Sequence, residues 1–315
     1  MRPIMKKLTK LVPVAVVGTL VLAACGSDEP EAAPAATDAA AAEAPADTEA
    51  PAETDPVSTE AGDGHGDPCA NTLQDGVLTI ATGNPAFFPW VIDDAPETGA
   101  GFEAAVALAV AAEMGYEGDA VTWVRSDFDA AIQPGAKDFD FNLQQFSITD
   151  ERKATIDFSL PYFTSNQAIV ALNGSPAEGA TSIADLKDVK FGAQAGTTSL
   201  TFITDVIQPT EEPFVYDDNV GAKAALEANQ IDAAVFDLPT ALFVSGVEIE
   251  GSSVTGQFPA EAGGTTDQFG LVLEKDSLLT PCVDDAITAI TDSGELAAIT
   301  TEWLADFTGA PVISE

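Results

Sequence analysis

The sequence predicts an α/β protein, and three observations carry the prediction. Strand-like and helix-like runs alternate along the chain from Cys69 onward, the pattern of a layered fold with largely parallel sheets. The 315 residues, 46 % of them hydrophobic, suffice for a packed core in one or two domains. No internal repeat is visible, which sets solenoids and propellers aside.

Val77-Leu78-Thr79-Ile80-Ala81 reads as the first strand. Residues 102–114 are largely apolar and read as a helix closed by Gly115. A strand follows at 121–124, a short helix at 128–132 and a strand at 139–143. Later come a strand at 189–193 and a helix at 200–207. Phe214-Val215-Tyr216 and Ala233-Ala234-Val235-Phe236 read as strands flanking a helix at 220–229. A strand at 268–273 and helices at 281–291 and 295–307 complete the pattern.

The first residues read as an address. Lys6, Lys7 and Lys10 precede an apolar stretch of 14 residues, 11–24. A bilayer span needs about 20, so the stretch suits a secretory signal. It ends in Leu22-Ala23-Ala24-Cys25 and resembles a bacterial lipobox, with Cys25 as the lipidated residue and an ordinary signal peptide as the alternative. Several acyl chains on Cys25 would anchor the protein stably. Residues 26–68 hold no Lys, Arg, aromatic, Leu or Ile. Such a segment buries too little to offset its ordering entropy, so 25–68 reads as the lipidated cysteine and a disordered acidic Ala/Pro-rich tether. His65, the single histidine, falls within it, a poor metal or catalytic candidate.

The formal charge is −39. Without Arg2, Lys6, Lys7 and Lys10, 8 basic residues remain against 51 acidic, a charge of −43. That surface repels nucleic acid and anionic lipid alike, so membrane attachment must be covalent or protein-mediated. Of the remaining cysteines, Cys69 opens the folded region and Cys282 lies near its end. In an exported chain they suggest a disulfide, with two buried thiols as the alternative.

Several blocks resemble extracellular solute-binding protein family 3, the binding proteins of polar amino acid ABC importers. Gly101-Phe102-Glu103 resembles the family's Gly-Phe-Asp. Trp123-Val124-Arg125-Ser126-Asp127-Phe128-Asp129-Ala130, Ser147-Ile148-Thr149-Asp150-Glu151-Arg152 and Ile156-Asp157-Phe158-Ser159-Leu160-Pro161-Tyr162 match further family blocks. Ala195-Gly196-Thr197-Thr198-Ser199 and Ile231-Asp232-Ala233-Ala234-Val235-Phe236-Asp237 follow in family order. The resemblance implies a type II periplasmic-binding fold: two α/β lobes joined by a two-segment hinge, with a ligand cleft between them. Lobe 1 would be 69–164 plus 262–315 and lobe 2 165–261, with hinges near 164–166 and 257–266.

It also implies a site for a free amino acid. Arg152 offers a planar fork for the ligand carboxylate. Thr197 and Thr198 place backbone N–H groups at a helix start, an anion site; helix capping is the plain alternative. Asp237 would take the ammonium. Ser147 and Gln145 would add acceptors, and Phe87 and Phe128 would sandwich the ligand side chain, with Phe88 and Trp90 as alternates. Asn84 stands where relatives that bind basic amino acids carry an acid, which argues against lysine or arginine. Gln144 and Gln145 narrow the pocket. Arg125, if turned inward, would suit an acidic side chain. The expected ligand is therefore neutral polar or acidic.

The implied protein is an extracytoplasmic lipoprotein on the outer face of the cytoplasmic membrane. It works as a monomer with a permease and ATPase on separate chains, and has no cofactor, metal or catalytic residue. A sensory binding module is the alternative. A dehydratase or lyase on the same fold is less favoured, because it needs a general acid or base and the folded part has no histidine.

Overall fold

The computed structural model describes residues 68–259, 266–305 and 309–314. The signal segment, Cys25, the tether up to residue 67 with His65, the glycines Gly263 and Gly264 of the expected hinge, and the end of the helix expected to reach 307 lie outside the described residues.

Two sheets organise the chain. The first lobe begins with β1 (Leu78–Thr82), α1 (Phe102–Glu113), β2 (Val121–Arg125), α2 (Phe128–Ile132), β3 (Phe141–Asn142), α3 (Asp150–Lys153) and β4 (Asp157–Phe158). The second lobe comprises β5 (Phe163–Leu172), β6 (Phe191–Gln194), α4 (Thr198–Phe202), β7 (Phe214–Tyr216), α5 (Asn219–Glu227), β8 (Ala233–Asp237), α6 (Leu238–Phe243) and β9 (Ser252–Phe258). β10 (Thr266–Phe269) leads back to the first lobe, where β11 (Val272–Leu273), α7 (Thr280–Asp292) and α8 (Glu295–Leu304) follow.

The first sheet has the order β2-β1-β3-β11-β4 and the second β10-β5-β8-β6-β7, with β9 also on β5. The sheets are mixed. β1 runs parallel to β2 and β3, and β6 to β7 and β8. β11 and β5 run antiparallel to their neighbours. β5 was not anticipated from the sequence, yet it is the longest strand. Its first residues pair with β10, as Thr266 with Asn166 and Phe269 with Phe163, and its later ones join β8 and β9. An antiparallel ribbon thus passes from one lobe to the other. The strand expected at 268–273 divides for the same reason: β10 belongs to this crossing and β11 to the first sheet.

Every residue of β1 is buried, as a central strand covered on both faces requires. Phe102, Val106 and Val110 of α1 pack with Leu78, Ile80, Val283 and Ile287 in the main core of lobe 1. The second sheet carries a core on each face, one around Phe191, Phe202 and Phe258, the other around Leu226, Phe236 and Leu238. Cys69 and Cys282 form a disulfide, Cα atoms 5.6 Å apart, tying the start of the described chain to the first turn of α7.

The C-terminal tail departs from the expected division. Residues 262–315 were assigned to lobe 1, but Ile313 is buried in the second lobe's core, and Val312 and Ser314 bridge to Gln257 and Ser182. Gly256 makes this docking possible: a Cβ there would sit 2.5 Å from Ile313 Cγ1. A single Val312-Ile313 pair in so short a tail gave too little signal to place it.

Candidate functional site

A cleft of about 550 Å³ lies between the lobes. Its walls include all nine residues expected to bind ligand: Asn84, Phe87, Phe128, Gln145, Ser147, Arg152, Thr197, Thr198 and Asp237.

Arg152 is buried on the short helix α3, whose first turn is capped by Thr149 accepting from the Arg152 N–H. Its guanidinium donates to Ser147 O at 2.7 Å and, across the cleft, to Gly196 O at 2.8 Å. It also lies 5.5 Å from the centre of the Phe128 ring, which itself stacks on Phe146 at 4.8 Å. Burial lowers the Arg152 pKa, and Asp267, Glu151 and Asp129 oppose that shift.

On the opposite wall Thr197 caps α4, its hydroxyl accepting from Leu200 N at 3.2 Å. Gly196 before it has a positive φ of 69° and packs so close to Asp129 of lobe 1 that a Cβ would lie 2.5 Å from a carboxylate oxygen. Thr198 Oγ1 meets Ser147 Oγ at 3.1 Å. Asp237 ends β8 and caps α6, accepting from Thr240 N at 2.9 Å. Capping therefore does not compete with facing the cleft: Thr197 and Asp237 do both.

The aromatic expectations divide. Phe87 lines the cleft with Lys223 Nζ of lobe 2 4.6 Å from its ring centre. Phe88 turns away from the cleft and packs on Phe243 at 4.2 Å. Trp90 lines the cleft, as do Gly83 and Gln144. Gln144 donates to Ser126 O and Asn142 Oδ1. Arg125 is not a cleft residue: it pairs with Asp94 at 2.6 Å and donates to Gly83 O at 2.9 Å, bracing the loop after β1.

Residues 78–306 match the family model described as bacterial extracellular solute-binding proteins, family 3. The chain belongs to that family. This family 3 protein is 29 % identical to the arginine-binding extracellular protein ArtP of Bacillus subtilis, over 66 % of this chain and 78 % of that one. It is 30 % identical to the L-cystine-binding protein TcyJ of Escherichia coli, over 64 % and 73 %. Among solved structures it is similar to an ancestral arginine-binding protein bound to glutamine, at 28 % identity and a TM-score of 0.62, covering 73 % of this chain and 98 % of that one. It is also similar to an ancestral amino acid-binding protein that is a precursor of cyclohexadienyl dehydratase, at 25 % identity and a TM-score of 0.60, over 74 % and 96 %. The two-lobed type II periplasmic-binding fold expected from the sequence is the fold of this family 3 protein.

Two acids define the electrostatics of its cleft. Desolvation raises Asp237 to about 6; the Thr240 hydrogen bonds oppose the rise and the charge of Asp267 adds to it. Glu103 is pushed up to about 7, again by burial first, while the bonds from Tyr162 and Gln145 lower it. In the sequence Glu103 stands out only as part of the Gly101-Phe102-Glu103 block that opens α1. Its carboxylate accepts from the Tyr162 hydroxyl, from Gln145 N at 2.7 Å and from Gln145 Nε2 at 2.5 Å. Gln145 sits at a positive φ of 52°, clamped through both its backbone and its amide. The available signal was an acid inside an apolar helical run. Asp127 and Asp129, which stand in the Trp123–Ala130 family block without an expected role, also line the cleft, as do Asp217 and Asp218, which had no sequence signal in this highly acidic chain. Among the described residues no group of His, Cys, Asp or Glu has metal-site geometry, and no helix is long and apolar enough to cross a membrane.

Proposed function

We propose that this chain captures a free amino acid between its lobes as the binding lipoprotein of an ABC importer, anchored through Cys25 outside the cytoplasmic membrane. One observation carries the reading: a buried guanidinium, Arg152, and a carboxylate, Asp237, open onto one cleft with room for a small zwitterion. Arg152 and the N–H groups of Thr197 and Thr198 take the ligand carboxylate; Asp237 takes the ammonium. Ser147 supplies a hydroxyl and Gln145 its amide oxygen, since its backbone N–H and one amide N–H are held by Glu103. Phe87 and Phe128 flank the side chain, and Asn84 lies at the mouth. The β5–β10 ribbon is the hinge, and closure traps the ligand by adding contacts from the second wall. Micromolar affinity, about −8 kcal/mol, is within reach of a few charge-assisted bonds in such a cleft.

The acidic half of the expected specificity lacks its support, because Arg125 is engaged by Asp94. An acidic side chain would meet Glu103, Asp127, Asp129, Asp217 and Asp218. A neutral polar side chain fits the amides of Gln144 and Gln145. A cationic one fits the acidic lining, in keeping with the arginine- and cystine-binding relatives. We read the protein as a binder and not an enzyme: Glu103, the cleft acid nearest neutrality, has both oxygens occupied by its own lobe. A thermal-shift screen of the mature chain against the twenty common amino acids tests the reading. At least one neutral or basic amino acid raises the melting temperature; no shift with any, or turnover of a prephenate-type acid, rejects it.

A further inference from the structure

Trp90 connects the lobes. Its ring belongs to the aromatic core of lobe 1, 5.8 Å from each of Phe102, Phe163 and Phe269 in edge-on contacts. Packing alone is satisfied there by any large aromatic; what the indole adds is one N–H. That N–H donates to Thr240 Oγ1 at 2.8 Å, on helix α6 of lobe 2, and both residues are buried. Indole is a donor only, so the hydroxyl must accept at that end. Its single proton is then free for the other side, toward the Asp237 carboxylate at the start of the same helix. The Thr240 backbone N–H holds the same carboxylate at 2.9 Å. The Phe88–Phe243 contact and Lys223 over Phe87 close the rim beside this chain of bonds.

We propose that Trp90 and Thr240 are positioning residues: the relay Trp90 Nε1–H to Thr240 Oγ1–H to Asp237 forms only when the lobes close, and aims the carboxylate at the ligand's ammonium. The inference rests on the reading of Asp237 given above. It makes closure and recognition one event, because Trp90 is fixed in one lobe and Thr240 rides on the other. The charged and titratable groups facing Asp237 from neighbouring elements are Glu103 on α1, Asp267 on β10 and Tyr162 before β5. None of these donates the Thr240 bonds, so substitutions at 90 and 240 report on the relay.

The test compares the mature chain with Trp90→Phe, Thr240→Val, Thr240→Ser and the Trp90→Phe/Thr240→Val pair, each checked for folding by circular dichroism. Calorimetry with the twenty common amino acids gives the affinities, and carbon NMR of the ligand-free chain gives the Asp237 titration midpoint. Trp90→Phe and Thr240→Val each weaken every amino acid that binds by about tenfold, the loss of one bond in a chain ending on a charge. The pair loses no more than either single change, and Thr240→Ser restores affinity. The Asp237 midpoint moves up in Thr240→Val and stays in Thr240→Ser. Losses that add in the pair, or an unmoved midpoint in Thr240→Val, overturn the relay. If the parent chain binds no amino acid, the reading of Asp237 as the ammonium site fails, while the ligand-free titration still decides the Thr240–Asp237 link within lobe 2.

Discussion

Asp237→Asn separates the cost of holding a carboxylate in the cleft from its use. The Asp237 carboxyl rises from 3.8 to about 6 mainly through desolvation. That rise corresponds to at most roughly 3 kcal/mol of preference for the neutral form, because the group opens on the cleft. In the ligand-free protein the sign follows from linkage. With the folded pKa above the unfolded one, this group's stabilisation is full below about pH 4 and is lost as pH rises through about 6. Asn cannot ionise, keeps an oxygen for the Thr240 N–H, and escapes that loss. Asp237→Asn is therefore more stable than the parent at pH 8, by up to about 3 kcal/mol, and equal to it at pH 4. Binding runs the other way. The ammonium needs the ionised carboxylate, so the parent binds about tenfold more weakly at pH 5 than at pH 7.5. The variant, lacking a bond to a charge, binds ~30-fold more weakly at neutral pH with no such slope. Urea denaturation at both pH values and calorimetry from pH 5 to 8 measure all of this. A variant less stable than the parent at pH 8, or a parent affinity flat across the range, refutes the reasoning.

Other outcomes follow from named contacts. Arg152→Ala removes the fork and its bonds to Ser147 O and Gly196 O, and calorimetry should show at least ~100-fold weaker binding. Arg152→Lys does not restore it, since an ammonium lacks the planar pair of donors. Breaking the disulfide with Cys69→Ser and Cys282→Ser opens a link between residues 213 positions apart. The chain-entropy account predicts a loss of about 5 kcal/mol, read in calorimetric melting as roughly 10 °C or more, with ligand affinity retained. Ile313→Ala empties the tail's seat against Gly256 and Phe258 and destabilises by about 2–4 kcal/mol in urea; no change would detach the tail from the fold.

Much of the site was legible because its residues combine motif with chemistry. Arg152 and Asp237 stand in blocks whose order fixed their lobes, and both line one cleft. The largely apolar α1, the Asp218-capped α5 and α7 with its apolar face lay near their expected places. β5 was missed although it is ten residues long. Its residues alternate poorly because half of it is a crossing and half a central strand with both faces covered. Arg125 could be read inward or outward from the sequence; only the position of Asp94 decided it.

By itself the sequence determined composition, segmentation and the types of group able to grip a zwitterion, since charge, hydropathy and motif order are properties of the chain. The tertiary structure alone decided which of those groups meet. Trp90 and Thr240 are 150 positions apart, and Ile313 returns to a lobe its own helices do not belong to. Burial in the packed fold is what raises Glu103 and Asp237 above the exposed carboxylates of a strongly acidic protein. Desolvation and long-range contact depend on the packed arrangement of the whole chain, so no local window of residues specifies them.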